Sequence, residues 1–559
     1  MKGHRIVTLL LLIGLTLACM APALPRLTTS IIGDGGDNYA FLGFQHLATH
    51  LLSSGGWFSG WTDYWRYPAG IDVQGATDCM LFMAIGLVLY GVTSDPVLVY
   101  NLSVLILVFL NLACCYVAFR TWFERNLALL GAIIYGLSFF SLARIGGHIN
   151  LVSTAGFPLF VSALYRIYRH GGRPRDFFLL SASMTYLTMA SLQYTLLVVA
   201  ALPFAAGLML LFERQAAVEL LSVLWRRKWA LVAALLVSLV VVAPFEGRKI
   251  LQFVSGKTIM PTDQLVKIPA INYFLANAYT PTIASALPNG SRAWIEYCVF
   301  VGFAEMAVLA AALWRMPKTG GFRLLAGTAA VFFVLSLGAW PYPILFRVLP
   351  YRGIIEPGRL YVVLYLAVTL LVLLYMRRAN SRTLYWAVLA CVCLERVPMH
   401  AYLSPTLREP LLIAAVQSRP TRAVLDLPAY DSWWWGQNYD LYSVYYNRPI
   451  VGGYFHWSGD RPESRALVDR LREFRCYFDP REALTEFDPA KGARRRDEII
   501  ETLVEHDIRV VVIHKDLYGT DAQCGASRRF IESLVGQPER WEVLLDSRAK
   551  QVLWLRPAR

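Results

Sequence analysis

Apolar runs recur along the chain near 6–25, 97–119, 127–143, 150–168, 176–191, 194–212, 229–245, 295–314, 323–339, 358–376 and 383–399. Each is close to the length a helix needs to cross about 30 Å of hydrocarbon. A further run, CMLFMAIGLVLYG at 79–91, is too short and is bounded by Asp78 and Asp95, so it reads as an interfacial or re-entrant helix. Beyond about residue 400 charges become frequent and apolar runs shorten. There RAVLDLP reads as a strand, SRALVDRLREF and RDEIIETLVEH as helices, IRVVVIHK as a buried strand, and WEVLLDS with QVLWLRP as a terminal hairpin. The pattern predicts an all-α polytopic membrane domain with about 11 transmembrane helices over 1–400, and a C-terminal soluble α/β domain over 401–559.

Charge orients that arrangement. If 79–91 does not cross, Arg120/Arg125, Arg166/Arg169/Arg173/Arg175, Arg214/Arg226/Arg227/Lys228, Arg315/Lys318/Arg323 and Arg377/Arg378/Arg382 all lie in short connections on the N-terminal side. The opposite connections are longer and poorer in Lys and Arg, which is the positive-inside pattern. Counting 79–91 as a span inverts every later loop. The N-terminus is therefore expected to be cytoplasmic and the C-terminal domain extracytoplasmic. MKGHRIVTLLLLIGLTLACMAPA also fits a cleaved signal sequence, and on either reading residue 33 onward is delivered outside. The outer face then carries loops 26–96, 246–294 and 340–357 and everything after about 400.

Composition supports this. The 559 residues are 56% hydrophobic and 16% charged with a mean hydropathy of +0.45, well below the charge content of a soluble protein. The net charge of +14 sits in short clusters between apolar runs, and no phosphate-binding Gly loop or zinc spacing accompanies it, so nucleic acid is excluded as a partner. Nine cysteines without a CxxC pair give no metal or redox framework. Cys476 and Cys524 could pair if the tail is extracytoplasmic.

The candidate chemistry collects on the outer face. Loop 26–96 contains GDGGDNYAFLGFQHLATHLL from Gly33, with Asp34 and Asp37 among glycines before an amphipathic segment (Phe41, Phe44, Leu47, Leu51, Leu52). That segment suits a helix in the membrane interface, and Trp57, Trp61, Trp65 and Tyr67 suit the headgroup level. The acids have two readings: they cap the helix, or they act chemically. Among outer cations, Arg352 and Arg359 flank IIEPG, and Arg359 stands at a span boundary where a guanidinium can fork onto a phosphate, snorkel, or pair with Glu356. His148 follows two glycines at a span end, either as a phosphate or acceptor contact or as a satisfied interfacial histidine. In the tail, DSWWWGQNYDLYSVYYNRPIVGGY is rich in aromatics that could stack on sugars or pack on membrane or loops. The triplet NGS at 289–291 is too short a motif to carry weight.

A first span, a large outer loop with an early acid, interfacial helices and a short helix ending in YG together resemble the type-C (GT-C) polytopic membrane glycosyltransferases. DPVLVYNLSVLILVFLNLACCYVAFRTW, GGHINL, LPYRGIIEPGRLYVV and LDLP…RPIVGGY resemble a large, mostly uncharacterised bacterial branch of that superfamily. The resemblance implies a multi-pass protein of the bacterial cytoplasmic (inner) membrane that uses a polyprenyl-phosphate-linked sugar donor. It implies an acid early in the first outer loop as catalytic base, fitted by Asp37-Asn38-Tyr39 with Asp34 the alternative. Donor-phosphate binding falls to Arg359, Arg352 and His148. The usual DE or DD pair is here D-x-x-D and no second acidic motif follows the third span, so no cofactor is expected with certainty and a divalent metal stays open. The expected activity is inverting hexosyl or pentosyl transfer to a glycan, lipid or protein acceptor outside the membrane. A lipid-linked glycan transporter or flippase, or a non-catalytic assembly protein on the same scaffold, is the alternative. Span interiors almost free of charge and dissimilar halves speak against transport. Loop 246–294 would close over the donor.

Overall fold

The computed structural model describes residues 2–557 except 58–59, 69, 256–265, 281, 287–292, 348–353, 355, 428, 431–432, 453–474, 477–488 and 518–520. Arg352, the NGS triplet and the segment SRALVDRLREF lie outside the described residues, as do the side chains of Cys476, Cys524 and Trp433 to Trp435. The chain divides into two compact units. One comprises Met1–Asp34, Asp78–Thr93 and Leu98–Ser404; the other comprises Gly35–Thr77, Ser94–Val97 and Pro405–Arg559.

The first unit is helical. Each apolar run carries a helix, and 79–91 forms the short helix Met80–Tyr90. Five helical segments are long and apolar enough to cross a membrane by length and composition: Pro96–Phe119, Ile149–His170, Leu192–Phe212, Lys228–Leu251 and Pro357–Ala379. Ile6–Cys19, Met80–Tyr90 and Gly320–Ser336 are shorter apolar helices. Burial separates the long ones: 78% of the apolar window of Pro357–Ala379 is buried, against 22% for Leu192–Phe212 and Lys228–Leu251. A helix apolar on every side belongs in the middle of a bundle, and Tyr361–Ala379 packs there against Gly320–Ser336 and Phe303–Arg315. The other two leave broad apolar surfaces, Val240 and Leu211 among them, at 70% exposure each. A longer helix of this unit lies outside the apolar runs. Arg214–Arg226 buries Ala217 and Val223 and packs on Gly156–His170, and its charged ends hide it from a hydropathy count.

Two apolar runs are broken, and both breaks serve the site. In 127–143 the helix Arg125–Gly136 stops, and Ser138 caps a new helix, Phe139–Arg144, by accepting from the Ser141 N–H at 3.2 Å. In 295–314, Ile295–Tyr297 is a 3-10 turn and the helix begins only at Phe303, after Gly302 with φ 105°. A Cβ on Gly302 would stand 2.1 Å from Glu305 Oε2. The fully buried Arg396 ties these breaks together. Its guanidinium donates to Leu137 O at 2.9 Å and to Glu305 Oε1 at 2.5 Å, and it lies 5.0 Å over the Phe139 ring. Irregular backbone among transmembrane helices survives only where protein groups satisfy it in this way.

In the second unit a four-stranded sheet runs Val424–Leu427, Val510–His514, Lys550–Leu555, Trp541–Asp546 in spatial order. The first two strands are parallel (Val424 opposite Val510), and the remaining pairs are antiparallel (Lys550 opposite His514). Leu425, Leu427, Leu503, Val511, Phe530 and Leu553 fill its core. The helix Asp37–Ser53 belongs to this unit and packs on Trp433–Tyr446. Of the face expected in the membrane interface, Phe44, Leu47 and Leu51 are covered by protein instead, at most 4% exposed, and Phe41 and Leu52 are half-buried. Trp57, Trp65 and Tyr67 are likewise buried, and Trp65 Nε1 donates to Ser443 Oγ at 2.9 Å. Aromatic spacing alone does not separate a headgroup belt from a protein core.

Gly43 is the close-approach point of that helix. A Cβ there would stand 2.4 Å from Trp65 Cζ2 and 3.4 Å from Asp440 Cβ. Gly43→Ala is expected to destabilise this unit by about 1–3 kcal/mol through overpacking, measured as a lowered unfolding temperature of the purified protein. An unchanged temperature would mean that the Trp65 contact yields without cost.

Candidate active site

Several polar side chains of the first unit close into a ring. Asp78, just before Met80–Tyr90, accepts from Asn150 Nδ2 at 3.0 Å, Ser191 Oγ at 2.8 Å and the Leu192 N–H at 2.8 Å. The carboxylate thereby satisfies the first turn of Leu192–Phe212, as an N-terminal carboxylate should. The next residue, Gln193, accepts from Arg359 Nη1. Arg359 Nη2 donates to Glu296 Oε1 at 2.8 Å, and Arg144 Nη2 donates to Glu296 Oε2 at 2.8 Å. His148 completes the ring, with Nδ1 3.1 Å from Glu296 Oε1 and two residues before Asn150.

Glu296 is the pivot. It is 2% exposed, Arg144 is fully buried and Arg359 is 7% exposed. Each of its carboxylate oxygens is taken by a guanidinium, Oε1 by Arg359 and Oε2 by Arg144. His148, with its side chain 22% exposed, is the open member. Its Nδ1 also lies 3.0 Å from Arg144 Nη1. Because arginine can only donate, Nδ1 accepts from Arg144 in the Nε2–H tautomer, and donates to Glu296 in the Nδ1–H tautomer or the imidazolium. Arg359 spends its fork on Glu296, Gln193 and Glu356 Oε2 (3.3 Å).

Asp34 is exposed and stands over the turn that leads into His148. Its N–H donates to Gly146 O at 2.9 Å, and its Oδ2 accepts from the Tyr279 hydroxyl. A Cβ on Gly147 would lie 3.6 Å from Asp34 Oδ1, and one on Gly146 would lie 2.7 Å from Tyr279 Oη, so the two glycines let these groups approach the backbone. Tyr402 donates to Tyr279 O, with the two rings 5.2 Å apart. Burial first, then the Asp34 carboxylate, pushes the Tyr279 phenol up, so it keeps its proton and acts as a donor.

The first unit thus brings together Asp34, His148 and Arg359. Asp37 belongs to the second unit, as the half-buried first residue of Asp37–Ser53. The N-cap position of that helix is Gly36. Positive φ at Gly33, Gly35 and Gly36 (144°, 89° and 51°) explains the glycines around Asp34. Sequence reasoning missed Glu296, Gln193, Asp78 and Tyr279. The usable signal for Glu296 was an acid inside an apolar run. Among the described residues no three His, Cys, Asp or Glu side chains are grouped to hold a metal ion.

The fold is that of the GT-C membrane glycosyltransferases. The cryo-EM structure of the arabinofuranosyltransferase AftD from mycobacteria superposes with a TM-score of 0.54 at 15% identity, over 100% of this chain and 40% of that one. The archaeal oligosaccharyltransferase AglB from Archaeoglobus fulgidus, in complex with an inhibitory peptide and a dolichol-phosphate, gives 0.51 at 11% identity, over 97% of this chain and 73% of that one. This chain therefore spans less than half the length of the AftD structure. At these identities the likeness is one of fold. No protein-family profile and no curated protein sequence matches the chain.

Glu296→Gln removes the charge that two buried guanidiniums share, and breaking such a pair costs about 3–5 kcal/mol. The unfolding temperature of Glu296→Gln at pH 7 should therefore lie well below that of wild type. An unchanged temperature would show that the two guanidiniums do not depend on this charge.

Proposed function

We propose that the protein is an inverting glycosyltransferase that moves a sugar from a polyprenyl-phosphate donor to a glycan, lipid or protein acceptor on the outer face of the cytoplasmic membrane. The observation that carries this is Asp34, an exposed carboxylate beside the turn into His148, with the Glu296–Arg144–Arg359 set directly behind that histidine. Asp34 takes the proton of the acceptor hydroxyl. As the acceptor oxygen bonds to C1, the bond from C1 to the phosphate oxygen breaks. Its electron pair leaves with the phosphate, and the anomeric centre inverts through an oxocarbenium-like state. The departing phosphate is an anion, so it needs fixed donors and positive charge more than a general acid. His148 faces it directly, while Arg144 and Arg359 supply a field through the network rather than a free fork. The fold shared with AglB, whose structure contains a dolichol-phosphate, supports a lipid-phosphate donor. Eleven spans, a cytoplasmic N-terminus and an extracytoplasmic domain over 401–559 complete the reading.

A deletion strain rescued by each variant at matched membrane levels tests it through surface-glycan profiles. Asp34→Asn should lose at least a hundredfold of the output, the scale of a general base, and Asp37→Asn should retain most of it. Failure of Asp37→Asn with rescue by Asp34→Asn moves the base to Asp37. Full rescue by both removes the transfer reading in favour of transport or assembly.

A further inference from the structure

We infer that Tyr279 is a positioning residue for Asp34. This rests on the reading of Asp34 as the base. A carboxylate at an exposed position can rotate about its side-chain bonds, and a base is useful only when one oxygen points at the reacting hydroxyl. Tyr279 supplies the constraint, since its hydroxyl donates to Asp34 Oδ2 from across the site. The tyrosine is itself held on three sides. Tyr402 donates to its backbone carbonyl and packs against its ring at 5.2 Å. Its own N–H donates to the Asn277 side chain at 2.8 Å. Gly146 leaves room for its hydroxyl where a Cβ would stand 2.7 Å away. The buried Asn277 and the half-buried tyrosines make this a built contact rather than a chance one. Three segments distant in sequence, around Asp34, Tyr279 and Tyr402, meet in it. The same contact gives Tyr279 a second effect. A donor on the ionised carboxylate favours the ionised form, so Tyr279 keeps Asp34 ready to accept a proton at lower pH than it otherwise would.

The test uses the purified full chain in lipid nanodiscs. It follows sugar release from synthetic undecaprenyl-phosphate-linked arabinofuranose, mannose and glucose, with an envelope glycan extract as acceptor. Tyr279→Phe keeps the ring and its packing on Tyr402 and removes only the hydroxyl. It should lower kcat about tenfold, leave the donor KM within about twofold, and move the acidic limb of the pH–rate profile up by about one unit. Gly146→Ala, whose backbone angle suits any residue, should give the same split by displacing the hydroxyl while Tyr279 and Asp34 stay intact. A merely structural tyrosine would lower the amount of folded protein without moving the pH profile. Wild-type kcat and profile in Tyr279→Phe, beside an inactive Asp34→Asn, overturns the inference and leaves the base reading in place. An active Asp34→Asn, or a wild-type protein that releases none of the three sugars, overturns the base reading itself.

Discussion

A single buried carboxylate organises the polar cluster of the first unit. Glu296 sits on a 3-10 turn where the chain would otherwise continue as helix, and it is the group on which two arginines from different helices converge. Removing three such groups from water is expensive, and only mutual pairing makes it tolerable. Arg144 ends a short helix that exists because Ser138 interrupts a longer one, and Arg359 opens the most buried of the five long apolar helices. Without Glu296, Arg144 loses its carboxylate partner, Arg359 is left with Glu356 and Gln193, and the turn carrying His148 loses its backing. The polar ring that runs on through Gln193 and Asp78 then has no closed path.

The helices were legible because hydrophobic length is a strong signal, and every apolar run indeed carries a helix. The breaks within runs were not, since Ser138 and Gly302 are ordinary residues whose effect depends on what Arg396 and Glu305 do across the bundle. Asp34, His148 and Arg359 stood out because glycines and span boundaries mark places where polar groups have room to act. Glu296 did not, because one acid in an apolar run reads as noise until its partners arrive from residues 144 and 359. Tyr279 lies in a loop with no local pattern at all. The helix Asp37–Ser53 was visible by its spacing, but what covers its apolar face was not. A period of 3.6 specifies a buried side without naming the neighbour.

The Arg396–Glu305 pair and the Glu296 set differ in kind. Arg396 and Glu305 are sealed, and the arginine's remaining hydrogen bonds go to backbone carbonyls and Tyr365, so the pair acts as a tie between helix ends. The Glu296 set is open on one side through His148, whose Nδ1 lies at nearly equal distances from a donor and an acceptor. Openness, not charge, distinguishes this set from the sealed pair.

The chain leaves one compact unit and enters the other between Asp34 and Gly35. Two acids three residues apart therefore answer to separate cores. Asp34 is fastened by Gly146 and Tyr279, and the helix that Asp37 begins is fastened by Trp65 and its neighbours. Local opening of a protein follows cooperative units rather than sequence proximity. Amide protons on either side of this glycine turn would consequently exchange with solvent on the schedules of two different pieces of the molecule, within a stretch shorter than a single turn of helix.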